Sequence, residues 1–321
     1  MLKYKIFQIK QKMNSILFHI GYPKSASTTL QEQFFKKLQG HYYLGVGMDK
    51  SPENNNQLVF ENFRNLFIRL FKTDALNYDP SEAMTYWLNV KKHVPPETPI
   101  IISHEKALGS IFSISDPFEK ARRIRNIFGD IKILMIIRNQ HNIALSQYRD
   151  WPYQPNHHFS GKPVSFKEWV DMDIKNDSSF IKTLEYEKVI KFYHSLFTPK
   201  NIHVIPIELL KFDKELFTKK LSAAMSIEYI VSEYLVNDFK ALNQGATSHQ
   251  IKLKQIKRKY KSLKNINKYI PEKLKEHIKS FPFSSKSISS KEDEIFFRNY
   301  FMDSNTKLSN MLNIDLSKLG Y

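Results

Sequence analysis

The sequence predicts an α/β fold, a central and mostly parallel sheet flanked by helices, with a helical C-terminal extension. Three observations carry this. Short apolar runs at 15–20, 99–103, 131–137 and 202–207 read as buried strands. Segments of helical periodicity separate them, and parallel neighbours require such crossovers. Polar clusters follow directly on three of these runs, at 21–29, at 104–106 and from Arg138 onward, which places all three beyond the carboxyl ends of the strands, where open sheets bind ligands.

Residues 1–13 alternate charged and apolar side chains and read as an N-terminal tail, leaving 14–321 as a single domain that is helical and basic from about 210. The first strand, 15–20, breaks at Gly21 and Pro23 into a hydroxyl-rich turn. A helix over 28–38 follows, with Leu30, Phe34, Phe35 and Leu38 near helical spacing and Gly40 as its stop. Residues 41–57, rich in Gly, Asn and Pro, read as loop. Amphipathic patterns predict helices over 58–72 and 81–92, the second capped by Ser81 and ended by Pro95 and Pro96. The run PIIIS at 99–103 is bounded by proline and by His104-Glu105-Lys106. A helix over 117–128 leads to the strongest strand, IKILMII at 131–137, which stops at Arg138. Helices are predicted over 141–150, 165–172 and 181–197, with the proline-rich 151–163 as loop, before the strand at 202–207. A basic amphipathic stretch at 250–270 places Leu253, Ile256, Tyr260, Leu263 and Ile270 on one helical face.

At 321 residues, 41% hydrophobic and 13% aromatic, the chain can fill a sizeable core. No apolar run approaches the roughly 20 residues that span a bilayer, and the first fourteen residues lack a signal peptide's apolar region, so the expected location is the cytoplasm. The absence of cysteine excludes disulfides, thiolate metal sites and cysteine nucleophiles. Forty-nine Lys and Arg against 32 Asp and Glu leave a formal charge of +17, which favours an anionic partner: nucleotide, acidic polysaccharide, nucleic acid or membrane surface. The excess is uneven, since 240–286 holds thirteen Lys or Arg and two acids.

The chemistry is concentrated in HIGYPKSASTTL, from His19 to Leu30. A strand that turns tightly into a helix N-terminus gathers unpaired N–H groups and the positive end of the helix dipole, which suits a phosphate-type group. Lys24 and the hydroxyls of Ser25, Ser27, Thr28 and Thr29 would supply side-chain contacts. A Walker-type loop, G-x-x-x-x-G-K-[ST], counted from Gly21, has Ala26, Ser27 and Thr28 where the second glycine, the lysine and the hydroxyl belong. The displaced lysine disfavours an ATP or GTP hydrolase and, equally, a nucleotide kinase.

Tyr22-Pro23-Lys24-Ser25-Ala26-Ser27-Thr28-Thr29 resembles the 5′-phosphosulfate loop, Y-P-K-S-G-T-T, of sulfotransferases that use 3′-phosphoadenylyl sulfate (PAPS). Arg138 followed eight residues later by Ser146, in IIRNQHNIALSQY, is similar to the 3′-phosphate motif of the same family. The C-terminal FMDSNTKLSNMLNIDLSKLGY also resembles the end of bacterial carbohydrate-type members. The resemblance spans most of the chain, with thin support from about 40 to 98, and implies their P-loop-like fold. It further implies that residues 25–29, Ala26 included, hold the 5′-phosphate, that Lys24 lies beside the bridging oxygen as the main catalytic cation, and that Arg138 and Ser146 grip the 3′-phosphate. No metal is implied. The base that takes the acceptor's proton would be Glu105, as in Golgi-type carbohydrate sulfotransferases, or His104, as in the small-molecule enzymes, with Glu105 favoured.

Two departures stand out. Ala26 and Ser27 replace Gly and Thr, and the R-K-G-x-x-G-D-W element of the cytosolic enzymes is absent, with 241–250 as the segment that stands in its place. The expected activity is sulfuryl transfer from PAPS to a hydroxyl, on a carbohydrate such as a surface polysaccharide or glycolipid. The basic 250–270 stretch offers contact with the inner membrane surface, and nucleic acid is a disfavoured partner. The alternative is an inactive protein of the same fold that holds acidic glycan or nucleic acid.

Overall fold

Among the described residues of the computed structural model, four of five strands are the apolar runs named above: β1 Ile16–His19, β3 Ile100–Ser103, β4 Lys132–Ile137 and β5 Ile202–Pro206, joined by β2 Tyr42–Gly45. The structure describes residues 15–46, 57–108, 116–150, 164–176, 179–239 and 288–321, without the side chains of Glu105 and Lys106. The tail at 1–13, the 151–163 loop, the 241–250 segment and the basic 250–270 stretch lie outside them. All pairings between the described strands are parallel, in the order β2-β3-β1-β4-β5.

The helices are α1 Ser27–Leu30, α2 Gln57–Phe71, α3 Pro80–Lys91, α4 Pro117–Phe128, α5 Gln140–Asp150, α6 Phe166–Ile174, α7 Tyr186–Leu196, α8 Leu209–Phe212, α9 Lys214–Met225, α10 Tyr229–Asn237 and α11 Lys291–Leu312. The chain leaves β1 in one direction along the sheet, over β3 to β2, and every later crossover runs the other way. Right-handed crossovers therefore put the helix after β1 on one face and those after β2 and β3 on the other. The packing agrees. The helical turns after β1 meet α10, while α2, α3, α4 and α7 pack together. Successive residues of β1 divide between the two layers: Phe18 makes edge contacts with Phe71 and Phe128, and His19 turns to Phe35.

One consequence of this order matters most for the site. β1 sends its chain toward β2 and β4 sends its chain toward β5, so a crevice opens between their neighbouring carboxyl ends. β1 pairs with β4 from Leu17 to His19, and beyond the strand the N–H groups of Ile20 and Tyr22 continue the ladder onto Leu134 and Ile136. The first loop is thereby laid against β4 up to the turn.

Four local expectations are corrected. Residues 42–45 form an edge strand and not loop: the Tyr42 N–H bonds Pro99 O at 2.8 Å and the Tyr43 ring stacks on Phe35. The helix after β1 is not a regular one over 28–38. It is the short α1 followed by a π-helix at Gln31–Phe35, whose wider turn buries Gln31, Gln33, Phe34 and Phe35 together. The helix at 81–92 starts one residue earlier, capped by Asp79 ahead of Pro80 rather than by Ser81, because Asp79 accepts the Ser81 N–H at 2.8 Å. The pattern at 181–197 likewise divides into a 3₁₀ turn at Ile181–Leu184 and α7.

Arg123, almost fully buried on α4, is held by Glu119 and by the carbonyls of Arg69, Leu70 and Thr73 at the end of α2, with Tyr78 beneath its guanidinium. A buried cation is tolerable there because the last carbonyls of α2 have no helical partner. Among the described residues no helix is long and apolar enough to cross a membrane.

Phe18 is fully buried at the centre of the sheet between two aromatic partners. Phe18→Ala is expected to cost about 3–5 kcal/mol in denaturant unfolding, the range for large aromatic truncations in a packed core.

Candidate active site

The turn after β1 is built from residues that a plain helix or strand could not use. Pro23 sits second in a turn closed by the Ser25 N–H on Tyr22 O at 3.1 Å, and Lys24 sits third with φ 70°. That is the arrangement of a type II turn, which ordinarily places glycine at the third position. Two residues on, Ala26 is again left-handed at φ 60° and ψ 22°, and it caps α1 without a side-chain oxygen. Alternating left- and right-handed residues turn successive N–H groups toward one concavity, the arrangement that binds anions. Strain of this kind survives only where the surroundings enforce it. Here they do: Tyr22 is fully buried, its ring lies edge-on to Tyr186 and its hydroxyl donates to Thr183 O at 2.8 Å.

Beneath the turn lies a buried polar floor. His19 is fully buried, with Nδ1 at 2.8 Å from Ser103 Oγ, which also accepts from Gln31 Nε2 at 3.0 Å. Burial pulls the His19 pKa down to about 3, so the ring is neutral at physiological pH. Its Nε2, together with the hydroxyls of Ser25 and Ser27, is buried without a hydrogen-bond partner among the described residues. Gly21 is required above it: a Cβ there would stand 2.8 Å from His19 Nε2 and 3.2 Å from Ser27 Oγ. Buried polar groups left unpaired are costly and uncommon, and three of them around one strained turn suit an anion with several acceptor oxygens. Thr28 is exposed and Thr29 half-buried in α1.

The second motif meets the first directly. Arg138, at the end of β4, donates from Nη1 to the carbonyl of Lys24 at 2.7 Å. The Lys24 ammonium forms an ion pair with Asp150, the last residue of α5, each side chain about a third exposed (35%). Lys24 is therefore held at both ends by the β4–α5 unit. A carboxylate at a helix C-terminus is disfavoured by the helix dipole, and the lysine compensates for that. Ser146 precedes Asp150 by four residues on α5, which puts both on the face turned to the loop.

Arg138 is fixed from behind. Tyr186 donates its hydroxyl to the Arg138 carbonyl at 2.5 Å, and Glu208 accepts the Asn139 N–H at 2.9 Å and the Tyr321 hydroxyl at 2.9 Å. Asn139 also bonds Gly320 O, and Gln140 reaches Asn305 of α11 at 2.6 Å. Burial raises the Glu208 pKa, opposed by these hydrogen bonds and by the charge of Arg138. The C-terminal residues are thus part of the support of the β4–α5 turn.

Of the two candidate bases, His104 hangs off the end of β3, its N–H on His19 O at 3.0 Å. Its ring is half-buried against Phe67 and Phe71, with centroids 4.4 and 5.2 Å away. Glu105 opens a 3₁₀ turn at Glu105–Leu108 directly after it. The residues that sequence reasoning passed over are His19, Ser103, Gln31, Asp150, Glu208 and Tyr321. Only Asp150 had a readable signal, as an acid four residues after Ser146.

Ala26→Gly is expected to stabilise the protein by about 1–2 kcal/mol, by relieving the left-handed penalty of a residue with a Cβ, in chemical denaturation. The His19 shift has a definite sign. Its folded pKa, about 3, lies below the unfolded value of about 6.5, so the unfolded chain binds the extra proton between these values. Stability falls as pH drops through that window, and His19→Gln should flatten this part of an acid-unfolding profile.

No family model matches the sequence, and no curated protein matches it. Among solved structures, a sulfotransferase from Alicyclobacillus acidocaldarius aligns over 96% of this chain and 100% of its own, with TM-score 0.54 at 13% identity. Mouse sulfotransferase SULT7A1 complexed with PAP aligns over 92% and 88%, with TM-score 0.44 at 12% identity. The sulfotransferase domain from the curacin biosynthetic pathway aligns over 90% and 98%, with TM-score 0.40 at 13% identity. At this level of identity, the first match shows that the chain has the α/β fold of a sulfotransferase.

Proposed function

We propose that this protein transfers a sulfuryl group from PAPS to a hydroxyl of a carbohydrate, a surface polysaccharide or a glycolipid. The observation that carries the reading is the bond from Arg138 to the Lys24 carbonyl, which joins the 5′-phosphosulfate-like loop and the 3′-phosphate-like motif at one crevice. The unpartnered Ser25 and Ser27 hydroxyls and the N–H groups of the strained turn suit a phosphate that arrives from outside.

The donor supplies a sulfur atom bonded through oxygen to a phosphate leaving group. The acceptor hydroxyl forms the new O–S bond as the bridging S–O bond breaks, its electron pair leaves with the phosphate oxygen, and the hydroxyl proton passes to a base. Lys24 is the cation nearest the oxygen that gains charge, and a preorganised ammonium there lowers the barrier electrostatically. Residues 25–29 hold the 5′-phosphate through main-chain N–H groups and hydroxyls, with Ala26 contributing backbone only. Arg138 and Ser146 take the 3′-phosphate. Glu105 is favoured over His104 as the base, in keeping with the aromatic packing that occupies the His104 ring.

In this structure Asp150 neutralises Lys24. Donor binding exchanges one anionic partner for another, so the lysine is never a bare charge in a half-buried site. The formal charge of +17 is consistent with an anionic acceptor surface or membrane contact, and the basic 250–270 stretch is the segment assigned to it.

The test is transfer of labelled sulfate from PAPS to a crude cell-surface glycan fraction. Lys24→Ala should lower the rate by about 10²-fold or more, the usual effect of removing a group that stabilises developing charge. Wild-type turnover in that variant would sink the assignment. Binding of RNA or DNA with a steep salt dependence and no nucleotide binding would instead support the inactive alternative.

A further inference from the structure

Arg149 stands three residues after Ser146 and one before Asp150, on the part of α5 that faces the loop. Two contacts locate that helix end: Asp150 reaches the Lys24 ammonium, and Arg138 reaches the Lys24 carbonyl. Arg149 thus shares the neighbourhood of a second guanidinium. The two are close enough that, after burial, the charge of Arg138 is what pulls the Arg149 pKa down.

Among the described residues Arg149 has no carboxylate partner, and its Nε is buried with no acceptor. The adjacent Asp150 is taken by Lys24. Arg123 shows how this chain treats a buried arginine whose role is structural: a carboxylate, three carbonyls and an aromatic ring occupy it. A half-buried guanidinium with an orphan N–H beside a like charge is destabilising on both counts. One multivalent anion bridging the two arginines would relieve both.

We propose that Arg149 is a further anion-binding residue of the donor site, gripping the phosphate on the 3′ side of the nucleotide together with Arg138 and Ser146. This rests on the reading of the site as a PAPS site. Within it, Arg149 is the second clamp for which the sequence otherwise offers only residues 241–250. The 5′ side is already served by the turn, Lys24 and the Ser25 and Ser27 hydroxyls, whereas the 3′ side has one assigned cation. Two forked guanidiniums match the oxygens of a phosphate dianion better than one.

The experiment is calorimetric titration of the full chain with adenosine 3′,5′-bisphosphate and with adenosine 5′-monophosphate, for wild type, Arg149→Gln and Arg149→Lys. The glutamine variant should lose roughly tenfold or more in bisphosphate affinity, as expected for a charge-assisted contact, and less than about twofold for the monophosphate. The lysine variant should recover part of the loss, since charge returns without the fork. Without nucleotide, Arg149→Gln should melt at the same temperature as wild type or higher, because a like-charge contact is gone. Unchanged bisphosphate affinity in Arg149→Gln overturns the proposal alone, as does an equal loss for both nucleotides, the mark of a merely structural role. A wild-type protein that binds neither nucleotide overturns this proposal together with the PAPS reading.

Discussion

The candidate site depends on one hydrogen bond, from the Arg138 guanidinium to the carbonyl of Lys24. Residues 114 positions apart meet there because β1 and β4 are neighbours in a parallel sheet. Both strands end at the same edge, and the two loops that leave them have nowhere to go but against each other. The bond also explains how a lysine can be held in a left-handed conformation, since the peptide that follows it is fixed from outside the turn. Behind Arg138, the Tyr186 and Glu208 contacts and the C-terminal residues Gly320 and Tyr321 keep the donor in place.

The loop stores free energy in three forms. Lys24 and Ala26 are left-handed without being glycine, each at a cost of about 1–2 kcal/mol. The Ser25 and Ser27 hydroxyls and His19 Nε2 are buried with no hydrogen-bond partner among the described residues. The Arg149 guanidinium is half-buried and carries the same charge as nearby Arg138. None of these helps the chain fold. This is the pattern expected of a site organised for a ligand rather than for stability, and on the reading proposed above an anion with several oxygens would satisfy the unpaired groups and the facing charges.

Much of the fold was legible because its strands are short, apolar and separated by helical periods. IKILMII at 131–137 and IIIS at 100–103 are buried on both faces, so their composition alone identifies them. β2 was not legible: Tyr42–Gly45 is four residues long, lies at the sheet edge and is flanked by glycines that read as turn. The π-helical turn at Gln31–Phe35, which buries Phe34 and Phe35, has no sequence signal. In the site, Lys24, the hydroxyl segment, Arg138 and Ser146 were readable from local patterns. Asp150 carried only the weak signal of an acid four residues after Ser146, and Glu208, Tyr321 and His19 carried none, since each acts through a partner far away in the chain and acquires its meaning from tertiary placement.

The Arg138–Lys24 bond also works as a calliper. It fixes the first loop to the end of β4 by a contact of 2.7 Å between neighbours of one sheet, and not by the slack of a loop. On the reading proposed above, the spacing of the two phosphate grips follows from the order of the strands, and a donor would be judged by its span before any base or sugar is read.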